Sequence, residues 1–166
     1  DFTSVTSVET LNLADAAHTI TLGSNAASAG IVTVTGGTDV ETLTLGALFT
    51  NNVTVTAGTG ADIVTATNYT ANLTMTGGAG IDTLNMGAGT TSFTGGAAAD
   101  IVNVMASGAL TSADTITGGT GADVINLSAA MTVVDSNFTN VTTVTTLTAG
   151  NVAVNVTLGA EAKEAT

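Results

Sequence analysis

The 166-residue sequence contains no cysteine, no proline and no tryptophan, and each absence closes off a class of structure. Without cysteine there is no disulfide framework and no zinc-thiolate site. Basic residues are nearly missing too: a single lysine, Lys163, and no arginine stand against 13 acidic residues, for a net charge of -12. A surface of that kind cannot neutralise phosphates, so nucleic acid and anionic lipid surfaces are excluded as partners. Aromatic residues make up 3% of the chain, so any core is thin and built from small aliphatic side chains. No apolar run approaches the roughly 18 residues of a membrane span, and the start, Asp1-Phe2-Thr3, shows neither a basic region nor an apolar stretch of a secretion signal. What is abundant is threonine, alanine, valine and glycine, with 20 glycines in all. β-Branched residues favour strands and glycine favours tight turns, so the composition suits short strands more than helices.

Internal repeats set the architecture. GGTDVETLTL begins at Gly36, AGTGADIVTA at Ala57, GGAGIDTLNM at Gly77, GGAAADIVNV at Gly95 and GGTGADVINL at Gly118. Each reads glycine turn, acid, alternating strand. With the acid as marker, and with TSVETLNL near Ser7 and TTVTTLTA near Thr145 as degenerate copies, the positions are Glu9, Glu41, Asp62, Asp82, Asp100, Asp123 and Thr145. Their steps are 32, 21, 20, 18, 23 and 22 residues, the signature of solenoid coils. A longer period lies over them. Phe2 to Leu11 matches Phe138 to Leu147 with seven identities in ten, and Thr21-Leu22-Gly23 matches Thr157-Leu158-Gly159 at the same offset of 136. Residues 1–136 then form one six-coil unit, and 137–166 the first coil of the next, in one continuous solenoid.

Period-two alternation assigns an inside and an outside. After the acid, Leu43 and Leu45, Val64 and Ala66, Leu84 and Met86, Val102 and Val104, and Ile125 and Leu127 face inward, with Thr44, Thr65, Asn85, Asn103 and Asn126 outward. Before the glycines, Val32 and Val34, Val53 and Val55, and Leu73 and Met75 face inward. The expected fold is all-β, a parallel β-roll or β-solenoid of six to seven coils with two short strands per coil.

GGAGID (77–82) and GGTGAD (118–123), each followed by an alternating strand, resemble the nonapeptide of RTX calcium-binding repeats, with AGTGAD, GGAAAD and GGTDVE as partial copies. That resemblance implies a parallel β-roll with calcium held between turns by carbonyls and carboxylates. The matching positions are Gly58, Gly60 and Asp62; Gly77, Gly78, Gly80 and Asp82; Gly95, Gly96 and Asp100; Gly118, Gly119, Gly121 and Asp123; and Glu41 in the most divergent copy. The residue chemistry agrees, because calcium takes six to eight hard oxygens and glycine turns can aim carbonyls through left-handed conformations. The chain departs from the family in spacing. Glycine turns recur every 18 to 23 residues on one side only, and the opposite turns, such as 46–52 and 67–72, are irregular and acid-free. One metal column is expected, not two. The alternative is that the Gly-Gly pairs make tight turns and the acids cap backbone N–H groups with no ion.

Catalysis is poorly served. With no cysteine or arginine and a single histidine, His18, a serine or threonine nucleophile lacks a base. His18 lies in the long first insertion (14–30) and reads as structural. No enzymatic activity is expected of this chain, although RTX-like modules also occur as folding and export elements beside secreted enzymes and toxins. A T-x-T motif repeats once per coil, at Thr33, Thr54, Thr74, Ser92 and Thr115, and resembles the ice-binding face of β-solenoid antifreeze proteins. Exposed strands favour threonine in any case. Low charge, threonine and alanine richness and tandem repeats resemble bacterial surface-layer and giant adhesin proteins. The expectation is an extracellular, calcium-binding structural segment exported by a type I route, whose partners are adjacent repeat units or copies of itself.

Overall fold

The computed structural model describes residues 2–164, and they form a parallel β-solenoid. Strands are numbered in chain order. One seven-stranded sheet contains β1 (Thr10–Asn12), β3 (Thr33–Thr35), β5 (Val53–Gly58), β7 (Leu73–Gly78), β9 (Thr91–Ala97), β11 (Thr115–Thr120) and β14 (Val141–Thr142), stacked in that order. The second runs β2 (His18–Leu22), β4 (Glu41–Leu45), β6 (Ile63–Thr65), β8 (Thr83–Met86), β10 (Ile101–Val104), β12 (Val124–Leu127) and β15 (Thr146–Ala149). A separate pair joins β13 (Met131–Val133) to β16 (Val154–Val156). Two short helices, α1 (Ser24–Ala29) and α2 (Ala160–Glu164), lie near the ends of the chain. The expected architecture is therefore present, with two strands per coil and about seven coils. At about 4.8 Å per coil the stack follows the ordinary spacing between hydrogen-bonded strands.

The inner faces are those the alternation predicts. Leu43, Leu45, Val64, Ala66, Leu84, Met86, Val102, Val104, Ile125 and Leu127 are buried on one sheet, opposite Val34, Val53, Val55, Leu73, Met75, Phe93 and Ile116 on the other. Each fully buried aliphatic side chain contributes about 2 kcal/mol by removal from water, so the interior is a stack of small, nearly equal increments, one layer per coil.

Two local readings change. Val32 is 41% exposed, while Ile31 and Val34 are buried. The N–H groups of Val32 and Thr33 both donate to the carbonyl of Glu9, at 2.9 and 3.0 Å. Two residues opposing one is a bulge, which reverses the side-chain parity. The first coil also has a different marker. Register pairs His18 with Glu41, whereas Glu9 precedes β1 on the other sheet. His18 therefore opens β2 at the head of the acid row instead of lying in an insertion. Measured from His18, the steps are 23, 21, 20, 18, 23 and 22 residues, and the anomalous 32 disappears.

Candidate metal centre in a buried carboxylate column

Each glycine turn sits at the entrance to a strand of the second sheet, which brings Glu41, Asp62, Asp82, Asp100 and Asp123 into one row along the solenoid. All five are buried, none more than 4% exposed. One carboxylate oxygen of each Asp has a defined task. The N–H of Glu41 donates to Oδ1 of Asp62 at 2.6 Å, that of Asp62 to Oδ1 of Asp82 at 2.9 Å, that of Asp82 to Oδ1 of Asp100 at 2.8 Å, and that of Asp100 to Oδ1 of Asp123 at 2.8 Å. Every Asp thus reaches back one coil and satisfies the N–H of the preceding acid. The capping expected from sequence occurs between coils, not within a turn.

The second oxygen of each Asp has no such partner. Oδ2 of Asp62, Asp82, Asp100 and Asp123, and both carboxylate oxygens of Glu41, are buried without a hydrogen bond. An ionised oxygen left this way carries a desolvation cost of several kcal/mol unless a proton or a cation relieves it. Burial pushes the Asp82 carboxyl up to about 7, the bond from the Asp62 N–H opposes the rise, and the neighbouring Asp100 and Asp62 charges add to it. Asp100 is raised to about 6 by the same burial, with Asp123 adding repulsion. Glu41 is raised by burial and by Asp62, with His18 acting in the opposite sense; the His18 Nδ1 lies 3.8 Å from its Oε1.

The glycines shape the space beside these oxygens. A Cβ placed on Gly77 would overlap Oδ2 of Asp82 and approach the carbonyl of Gly95 at 2.7 Å. The same holds at Gly95, bounded by Asp100 Oδ2 and the Gly118 carbonyl, and at Gly118, bounded by Asp123 Oδ2 and the Thr143 carbonyl. In these three coils the first glycine of the turn is therefore required by close approach, and its missing side chain brings a carboxylate oxygen and a carbonyl oxygen of the next coil to one place; in the coil of Asp62 the position is held by Ala57. The second glycine is required by backbone angle: Gly58, Gly78, Gly96 and Gly119 have φ of 122, 125, 113 and 111°. In the copy that has lost its third glycine, Ala98 takes φ 69°.

The donor set is hard oxygen throughout, which suits calcium or magnesium and not a soft transition metal. Among the described residues no three His, Cys, Asp or Glu side chains converge on one point. The row offers one carboxylate per coil, so a cation held there would complete its shell with the carbonyls of the turn glycines and with water. Gly60, Gly80 and Gly121 lie in the same turns, and a Cβ on any of them would overlap a carbonyl of the preceding coil.

Two acids outside the row were not singled out by the sequence. Asp114, in an opposite turn expected to be acid-free, is 1% exposed and fully bonded: Thr91 N–H donates to Oδ1 at 2.7 Å, and Thr111 N–H and Oγ1 donate to Oδ2 at 2.8 and 2.9 Å. The Thr111-x-x-Asp114 spacing is the signal that could have found it, since an i, i+3 pair of this type closes a local turn. Asp135 accepts from the N–H groups of Gly159, Glu161 and Ala162 at the start of α2.

The outer faces carry ladders instead of sites. Asn85 donates to Thr65, Asn103 to Asn85 and Asn126 to Asn103, at 3.1, 2.8 and 3.0 Å. On the other sheet Thr33, Thr54, Thr74, Ser92 and Thr115 are in register, as are Thr35, Thr56, Thr76, Thr94 and Thr117. The fold thus defines the class, a parallel β-solenoid with a buried acid row along one side. Comparison with protein-family models, with curated proteins and with solved structures finds no match for the chain. No helix among the described residues is long and apolar enough to cross a membrane.

Proposed function

We propose that this chain is a calcium-rigidified rod segment of an extracellular bacterial surface layer, surface fibre or adhesin, and that it carries no catalytic activity. The observation that supports the reading best is the row of buried Asp oxygens without partners at Asp62, Asp82, Asp100 and Asp123; at the last three a glycine without a side chain lets that oxygen lie close to a carbonyl of the following coil. Ionised neighbours about 4.8 Å apart repel by on the order of 3 kcal/mol at an effective dielectric of about 20. Cations between coils remove that cost and tie each coil to the next. Glu41, Asp62, Asp82, Asp100 and Asp123, with the turn carbonyls, would hold them; the cations supply positive charge, and the chain supplies the spacing.

Calcium also connects the site to the destination. A site assembled from successive coils exists only in the folded chain, so its binding energy is folding energy. In the low calcium of a cytoplasm the chain stays extended for type I export, and outside the cell it locks. The test is circular dichroism and chemical denaturation with a calcium chelator and then with millimolar calcium. A β signal and a midpoint that do not respond to either condition would sink the calcium reading. Asp82→Ala is expected to abolish most of the calcium response, whereas Asp39→Ala, at an exposed position off the row, leaves it in place.

A second reading rests on the two in-register threonine rows of the first sheet, which form a regular exposed array that could meet ice. It predicts thermal hysteresis in the calcium-loaded chain, lost on Thr54→Tyr with the fold retained. The rod reading predicts none.

A further inference from the structure

Both copies of the offset repeat are visible in the fold, and the elements they share begin at matching positions. β1 and β15 begin at Thr10 and Thr146, β2 and β16 at His18 and Val154, and α1 and α2 at Ser24 and Ala160, each pair separated by the same 136 residues. Ser7 and Thr143, another such pair, both take left-handed backbone angles, with φ 60 and 54°. The turn that follows is also shared: Ala16 N–H donates to the Ala14 carbonyl and Val152 N–H to the Gly150 carbonyl, both at 2.8 Å. The later copy has a preceding coil against it. β15 pairs with β12, β16 pairs with β13, and Asp135 meets the start of α2. The earlier copy has none. β1 and β2 are the edge strands of their sheets, and beside β2 and α1 opens a cavity of about 420 Å3 lined by Phe2, Ile20, Gly23 and Ala26. Phe138, the counterpart of Phe2, is buried.

We propose that the edges of β1 and β2, with the cavity beside β2 and α1, are the docking surface for a preceding copy of the same 136-residue unit, and that β15 and β16 already display the geometry of that joint. The inference rests on the reading of the chain as a rod segment and adds its partner and its register. By transfer from the later copy, Val124, Ile125 and Asn126 of the preceding unit pair with Thr10, Leu11 and Asn12, while Met131, Thr132 and Val133 pair with His18, Thr19 and Ile20. Strands β13 and the turn to Asp135 fill the cavity that stands open beside β2 and α1. The open strand edges are thereby closed by continuation, which removes the tendency of exposed edges to pair nonspecifically.

The register carries a geometric consequence. β15 closes the second sheet, but β1 opens the first. Across the joint the second sheet of one unit therefore runs into the first sheet of the next, and the outward row ending at Asn126 continues through Asn12 to Thr35, Thr56 and Thr76. The second sheet of the next unit starts on β13, outside both sheets of the preceding one, so the faces shift around the rod at each unit and the rod turns about its axis.

The test is a two-unit chain in which residues 1–136 are followed directly by residues 1–166. The sequence has no cysteine, so introduced pairs report alone. Thr132→Cys in the first unit with Thr19→Cys in the second places the two at register neighbours, about 4.8 Å apart and within disulfide reach. Oxidation is expected to close this pair as completely as Thr132→Cys with Asn155→Cys closes in the 166-residue chain, read as a shift in gel mobility. Thr132→Cys with Thr21→Cys, two residues out of register, is expected to remain reduced. Asn126→Cys in the first unit with Asn12→Cys in the second is an independent pair should the first disturb folding. If the control pair closes and neither two-unit pair does, or if the out-of-register pair closes equally well, the joint is wrong. Small-angle scattering of the same chain separates this from the rod reading: an elongated, calcium-dependent particle without the cross-links overturns the joint alone, and a compact or calcium-indifferent particle overturns the rod.

Discussion

The two sides of the solenoid solve the same problem differently. On the glycine side, Asp62, Asp82, Asp100 and Asp123 each satisfy one backbone N–H and leave one buried oxygen without a bond. On the opposite side, Asp114 is equally buried, but both its oxygens are bonded. That side is held by unlike devices from coil to coil: Tyr69 stacks on Phe49 with ring centroids 5.9 Å apart and donates its hydroxyl to the carbonyls of Asn51 and Asn72, while Asn51 donates to the carbonyls of Ala27 and Ile31. Burial alone does not mark a binding residue. The regular side is periodic and incompletely satisfied, as the proposed row of ion sites requires, whereas Asp114 on the irregular side is satisfied by the chain itself.

The largest effect that can break this contrast is the response to pH without metal. Asp82 holds its proton to about pH 7 in the folded chain, against about 4 when unfolded, and Asp100 to about 6. Between those limits the folded chain binds more protons, so stability is highest at the acid end and falls as pH rises from about 4 to about 7. Denaturation midpoints in chelator should show that decline, calcium should remove it by taking the place of the proton, and Asp82→Asn should flatten it. A metal-free stability that rises over the same window would mean the row is not buried as described.

Next in size is Asp114→Ala, which leaves the N–H groups of Thr91 and Thr111 without their acceptor and should cost about 3 kcal/mol. The comparison predicts the same loss with and without calcium; a calcium-dependent loss would make Asp114 part of a second ion site. Tyr69→Phe removes only the hydroxyl and should cost about 1 kcal/mol, again independent of calcium. The smallest effect lies on the glycine side. Ala98 is strained at φ 69°, and Ala98→Gly should raise stability by up to about 1 kcal/mol in a urea melt.

Much of this arrangement is legible from residue order. Alternation names the inward residues of the five inner strands of the second sheet, β4 to β12, because side-chain direction in a strand is a local property of period two. It fails at Val32, where a bulge against Glu9 inserts one residue, and bulges depend on a partner strand that the local pattern does not contain. The acid row is legible from Glu41 to Asp123 because the glycine turn and the acid recur together. Its head is not, since Glu9 has the right strand after it and the wrong sheet, and only stacking shows that His18 lies next to Glu41.

The sequence by itself determined the coil period, the inner and outer faces, the one-sided placement of glycine and acid, and the 136-residue offset, all of which follow from spacing along the chain. Only the tertiary structure decided that the acids are buried, that each reaches back to the preceding coil, and that one oxygen of each Asp remains without a partner. It also decided that two acids outside the pattern, Asp114 and Asp135, serve the backbone. The physical reason is that burial and hydrogen bonding are set by the coil above and the coil below, and a residue about 20 positions away along the chain becomes a neighbour only when the strands stack about 4.8 Å apart.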